Sequence, residues 1–551
     1  MRRLALLLLV VACGACGDDG NGEPLPTGPI TARVTHYDHA FDIDSRAAHA
    51  KLTLAVDQGG DCLTLPFRAQ MPGAAKLGGE PANVAIEGEL LRVCGIGVRA
   101  ATTTELELEL VIPLVTLGDS QVGYSIEQDS EQNPFYYLVS WIGGCDRFGP
   151  CDNRSDQFAT YRFTVTHPAT FKARCPGTIT EISATQTECN FDHPGGPTYS
   201  TFGVAAYPAW AQTDKGTWGG VKVTLYDRAS TLIDAAIDPA YHGGFVEWMQ
   251  SQFGPYPYGD ELRILTAPTY WSGFEHPGNI VLDDGLAKQA RPTYSNPTAH
   301  VLDHEIVHMW AGDQTTLAST YDFVWKEAMA EYLTFVWEDM NDATVSRRTN
   351  GAWKLFGQDA RHFPVPLDSP ALFDFYGDVY GPGPMVLFRQ LEILTTRQQV
   401  IDGIKMVLGQ PRALSVDEVI AALESSTGLD LDDYANAWIR GNGAPDWPRY
   451  NVVYTQGAET STLALTQINK KANARGCRFH VMLRGATMDE SQVQLVDTFA
   501  NGEDQTIPIT TPAFAVTSIL LDPFAECLVY LASSTPRIVR HHPWLSERAR
   551  M

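Results

Sequence analysis

From residue 30 to about residue 197 the chain alternates apolar and polar positions in short runs broken by Gly and Pro. Lys51-Leu52-Thr53-Leu54-Ala55-Val56 and Glu105-Leu106-Glu107-Leu108-Glu109-Leu110 send every second side chain to one face, the period of a strand with one side in a core and the other in water. After Thr198 the pattern changes. Helical segments dominate, as over Pro297 to Ala311 and Asp322 to Asp339, with a strand-like Gly220 to Tyr226 near the start. Beyond Asn442-Gly443-Ala444-Pro445 the alternation returns in Arg449 to Tyr454 and Val516 to Leu521. The pattern predicts a multidomain α+β protein: an N-terminal antiparallel β domain over 30–197, a mixed α/β body over 198–445 and a small C-terminal β domain over 446–551. Length agrees, since 551 residues exceed what one core organises and chains divide beyond ~250–300.

The first residues are of another kind. Arg2-Arg3, the apolar run Leu4 to Ala12 and then Cys13 read as a signal segment over 1–12, too short to span a bilayer. Val10-Val11-Ala12-Cys13 resembles a bacterial lipobox, which implies a lipid on Cys13, or on Cys16 as second choice, and a polar, Gly-rich tether over 13–29. The expectation is an exported protein, lipid-anchored to a bacterial membrane. Eight cysteines then remain for an oxidising compartment. Several pairings are open, and neighbourhood suggests Cys62 with Cys94, Cys145 with Cys151, Cys175 with Cys189, and Cys477 with Cys527.

Composition narrows the function. With 44% hydrophobic and 19% charged residues the chain is globular rather than disordered. A net charge of −25 opposes contact with nucleic-acid phosphates.

The chemistry is carried by His304-Glu305-Ile306-Val307-His308, an H-E-x-x-H in a helical setting, with Asn296 as cap, Pro297 in the first turn and Gly312 as a stop. Residues four apart lie one turn above each other, so both imidazoles reach one zinc ion, while Glu305 sits beside them to hold an attacking water. Such a site needs a third ligand and one open position. Glu327, nineteen residues past His308 on a second helical run, offers itself.

H-E-x-x-H with a Glu at that distance, in Trp325-Lys326-Glu327-Ala328-Met329-Ala330-Glu331-Tyr332, resembles the gluzincin zinc aminopeptidases, the family of alanyl aminopeptidase and leukotriene hydrolase. Ser272-Gly273-Phe274-Glu275-His276-Pro277-Gly278 looks like that family's G-x-M-E-N signature, which would place Gly273 and Glu275 on the substrate, with Glu275 gripping its α-ammonium. Tyr380, in Asp378-Val379-Tyr380-Gly381-Pro382-Gly383-Pro384, resembles the family's Y-x-K-G tyrosine, a donor to the oxyanion, with Tyr376 close enough to compete. Arg147 to Asp152 and Thr160 to Pro168 resemble parts of its saddle-shaped β domain, and the body would be thermolysin-like.

The chain departs from the family at Phe274 for Met, His276 for Asn, Lys326 for Asn and Asp313 for Asn. Leu138-Val139-Ser140-Trp141 supplies no second acid for the amine. The resemblance implies His304, His308 and Glu327 on zinc, Glu305 and Tyr380 as catalytic groups, and peptides with a free N-terminus as substrates. Two other functions share this scaffold: a leukotriene-hydrolase-like enzyme acting on a small substrate, and a silent surface lipoprotein that binds peptides.

Overall fold

The computed structural model describes residues 24–540 apart from 71–72, 116–121, 130–131, 229, 270, 471–474 and 533–535. The signal segment, Cys13 and Cys16 lie outside the described residues.

The alternating stretches are strands. In Ala47–Gln58 the inward Leu52 and Leu54 are fully buried, and in Thr103–Val111 Leu106 and Leu108 are too. The two strands pair antiparallel with Leu52 opposite Leu106, so one register buries both apolar rows together. Within this N-terminal sheet antiparallel pairing dominates, and the exceptions belong to the strand Pro29–Asp42. It runs parallel to Phe158–Thr166 and, through Pro29 and Ile30, to Gly60–Pro66. The second contact closes seven strands into a ring in the order Pro29–Asp42, Ala47–Gln58, Thr103–Val111, Ala75–Leu77, Glu80–Glu87, Leu90–Val98 and Gly60–Pro66. Closure removes two exposed sheet edges. Disulfides join Cys62 to Cys94, Cys145 to Cys151, Cys175 to Cys189 and Cys477 to Cys527, the four neighbour pairs suggested above.

A four-stranded sheet follows in the order Lys172–Arg174, Gly203–Tyr207, Pro134–Val139 and Gly123–Gln128. It extends past residue 197, and the chain leaving Pro134–Val139 delivers Trp141 to the cleft described below.

The mixed α/β body has a five-stranded sheet, Ala211–Trp218, Val221–Asp227, Glu261–Ala267, Asn279–Asp283 and Gly273–Phe274. Its centre is parallel, whereas Gly273–Phe274 is an antiparallel edge on Val281 and Leu282. Beside it lies the helix Pro297–His308, opened by the Asn296 side chain accepting from the Ala299 amide. Regular α-helix ends at His308 rather than continuing to Ala311, because the chain tightens there and turns at Gly312, whose φ is +139°. A second helix, Phe323–Asn341, buries residues all round and packs against the first. Among the described residues no helix is long and apolar enough to cross a membrane.

Two C-terminal sheets of five and three strands dock on the helical body, and Cys477–Cys527 ties the start of Arg478–Arg484 to the segment before Tyr530–Leu531. Gln390 accepts from the Leu528 amide at 3.0 Å, and Arg478 donates to the carbonyls of Ile393 and Leu394.

Candidate active site

The helices Pro297–His308 and Phe323–Asn341 bring His304, His308 and Glu327 together in the interior. Nε2 of His304 is 3.1 Å from Nε2 of His308 and 3.2 Å from Oε2 of Glu327, and His308 is 3.6 Å from the same oxygen. Four-coordinate zinc with bonds of about 2.1 Å separates its ligand atoms by about 3.4 Å, so the triangle has the right size. Its electrostatics agree. Burial pulls His304 down, but Glu327 and Glu331 hold it, net, at about 10, while burial and the Lys326 ammonium bring His308 below its ordinary value. With their Nε2 atoms 3.1 Å apart, the two rings have room between them for one proton or, in its place, a metal ion.

Each ring is oriented from behind. Nδ1 of His308 donates to the Ala311 carbonyl at 3.0 Å, and Nδ1 of His304 lies 3.2 Å from Oε1 of Glu331. Both Nε2 atoms are thereby turned inward, the arrangement metal-binding histidines require. Glu331 is one turn beyond Glu327 and is fixed in turn by Trp353 Nε1 at 2.6 Å and His300 Nε2 at 3.3 Å. His300 also meets Glu338 at 2.9 Å. Although Glu331 stands in the quoted family segment, sequence reasoning gave it no role; its position on the face of Glu327 was the available signal.

Glu305 faces the same cavity. Burial, with Glu275 and Glu327 nearby, pushes it up to about 8 against the pull of His304. A carboxyl in that range exchanges protons near neutral pH, as a general base must. Gly273 makes room for it: a Cβ there would fall 2.3 Å from Oε1 of Glu305. Gly273 therefore acts on the site through its missing side chain.

Tyr380 donates to Oε2 of Glu327 at 3.0 Å, and its hydroxyl touches that of Tyr376. Both phenols stand at the ligand cluster. After Tyr380 a short α turn, Pro382–Pro384, leads into a π-type turn over Met385–Arg389. Tyr376 is wedged edge-on against Trp141 and Trp271. The cavity enclosed here measures about 340 Å³, and Trp141, Trp271, Tyr294, Val301, Phe356 and Tyr376 give it apolar walls.

Glu275 also lines the cavity, directly after the edge strand Gly273–Phe274. It is not free of cations. Lys326 Nζ lies 2.8 Å from Oε1 of Glu275 and 2.7 Å from Oε1 of Glu327. A buried ammonium without partners would cost several kcal/mol, and these two carboxylates offset that cost. Burial lowers Lys326, but Glu275 and Glu327 carry it above its ordinary value; burial raises Glu275, and Lys326 brings it net below the usual range. The other departures from the family pattern are also packed. His276 meets the Ser200 carbonyl, and its ring lies where a Cβ on Gly203 would be. Asp313 accepts from Ser200, and burial drives its carboxyl well above the ordinary range.

Comparison with known proteins agrees with this geometry. Residues 242–438 match the peptidase family M1 domain. The chain is 24% identical over 250 residues to aminopeptidase N of Streptomyces lividans, an alignment covering 40% of this chain and 28% of that one. It is 27% identical over 207 residues to the thyrotropin-releasing hormone-degrading ectoenzyme of Homo sapiens, covering 34% and 19%. The alignments thus span less than a third of either relative's length. Among solved structures, a mutant M1 zinc metallopeptidase from Deinococcus radiodurans bound to a Tyr-Ser-Ala substrate superposes with a TM-score of 0.59 at 19% identity, covering 75% of this chain and 96% of that one. Legionella pneumophila aminopeptidase A gives 0.68 at 14% identity, covering 91% and 60%.

Proposed function

We propose that the protein is a zinc-dependent peptidase of the aminopeptidase type, cleaving near the N-terminus of its substrate. The observation that carries this reading is the convergence of the His304 and His308 Nε2 atoms with Glu327 beside Glu305, inside an apolar cavity. His304, His308 and Glu327 would hold zinc, which when bound supplies Lewis acidity and makes water acidic enough to attack at neutral pH. Glu305 takes the proton of the attacking water and returns it to the leaving amine. Tyr380 donates to the oxygen that becomes negative in the tetrahedral intermediate. The peptide backbone lies along the edge strand Gly273–Phe274, where an extended chain finds main-chain partners. Aromatic walls favour a large apolar side chain next to the scissile bond. The test is Glu305→Gln, assayed for metal content and for turnover on a panel of aminoacyl fluorogenic amides. Zinc should be retained and turnover lost by about 10²–10⁴-fold; retained turnover would remove Glu305 as the base.

The same reading includes export and a lipid anchor on Cys13, supported by the basic, apolar and Cys-containing order of residues 1–17. Cys13→Ser should move the protein from the membrane fraction to the soluble one. Unchanged association would transfer the anchor to Cys16 or remove it.

A further inference from the structure

The resemblance gives Glu275 to the substrate's α-ammonium, but in this chain an ammonium already lies against it. Lys326 comes from the neighbouring helix, is 1% exposed, and places Nζ 2.8 Å from Oε1 of Glu275. The lysine is built in. Its stem crosses Gly312, where a Cβ would fall 2.7 Å from Cε and 3.0 Å from Cγ, so the glycine that the turn requires also leaves the space the lysine occupies. Nζ is also 2.7 Å from Glu327, so the side chain is held from two sides.

A substrate ammonium brought to Glu275 would meet a like charge at contact distance, in a place with little water to screen it. Val122 and Trp141 also line the cavity, and among the described residues neither segment adds a carboxylate to it. One property of Glu275 remains open to a ligand. Its Oε1 is buried with Nζ 2.8 Å away, and a carboxylate oxygen that accepts from one ammonium N–H keeps a second lone pair. An acceptor whose charge is balanced and whose lone pair is unused suits a neutral N–H donor.

Resting on the peptidase reading above, we propose that Lys326 is a specificity-determining residue that fills the amine position, so that this site takes peptides whose N-terminal nitrogen is uncharged, such as N-acylated ones, in preference to free α-ammonium groups. The amide N–H of the first residue donates to Glu275, and the acyl group extends into the cavity.

Matched tryptophanyl and N-acetyltryptophanyl 4-nitroanilides test this on the zinc-loaded full chain. The wild type should give kcat/KM at least as high on the acetylated substrate. Lys326→Gln should shift the ratio toward the free amine by about tenfold or more, and adding Glu275→Gln should remove that shift. A wild type that prefers the free amine by more than about tenfold, or a Lys326→Gln protein with an unchanged ratio, overturns the proposal. Binding gives a readout independent of turnover and of folding of the Lys326 variant. Calorimetry on Glu305→Gln should show N-acetyltryptophanamide binding more tightly than tryptophanamide, and the reverse order overturns the proposal. Failure of the peptidase reading is distinct: neither nitroanilide is cleaved by the zinc-loaded wild type, while the calorimetric order still decides the role of Lys326.

Discussion

The two ends of the cavity handle charge in opposite ways. At the metal end, two imidazoles and Oε2 of Glu327 converge on a gap, while Oε1 of Glu327 already holds Lys326. At the amine end the carboxylate of Glu275 has its cation supplied by the same chain. Lys326 touches both ends, yet only the metal end keeps converging lone pairs for a second cation. The difference teaches that ligand spacing alone describes a metal site well but describes a charged recognition site poorly. Recognition depends on the net charge of everything packed against the acid, and that includes residues far away in sequence.

The comparison breaks most sharply if the metal end is removed. His304→Ala and Glu327→Ala should each lose stoichiometric zinc on dialysis and fall to background turnover, since each deletes one of the three proposed ligands. Metal analysis of the purified variants checks this, and equal zinc content would refute the ligand set. Tyr380→Phe should keep zinc and lower kcat by about 10²–10³-fold, the usual cost of one oxyanion donor. Because the Tyr376 and Tyr380 hydroxyls touch, Tyr376→Phe is the control: a larger loss there would transfer the role. The smallest effect should come from Glu331→Gln, which leaves every ligand in place but weakens the acceptor behind His304. Zinc affinity should drop about 10- to 100-fold, with kcat at saturating zinc much less affected. Competition with a chromophoric chelator measures it, and an unchanged affinity would make Glu331 a packing residue only.

The strands and the metal helix were legible in the sequence because each rests on a period fixed by backbone geometry. Leu52 and Leu54 alternate as strand residues must, and His304 and His308 are one helical turn apart whatever surrounds them. Glu327 was legible through a resemblance in spacing. What was hidden involves contacts between distant segments. The ring of seven strands closes through only Pro29 and Ile30 against Cys62 and Leu63, a contact that no local pattern announces. Lys326 stood out as an unusual residue, but its partner Glu275 belongs to a different element, and only the fold brings them together. Trp141, Tyr294 and Phe356 reach the cavity from three separate regions, so the aromatic lining had no signature along the chain.

The strand Pro29–Asp42 carries a mechanical consequence. It is the first strand among the described residues, yet it sits inside the sheet, bonded along one edge to Ala47–Gln58 and along the other to Phe158–Thr166 and Gly60–Pro66. A pull applied upstream, as from a tether to a membrane, would run along the strand axis and load both ladders in shear. Their hydrogen bonds would then share the force instead of opening one at a time, as they would in a strand peeled from a sheet edge. The N-terminal domain could thus bear tension at its point of attachment and spare the catalytic helices from distortion.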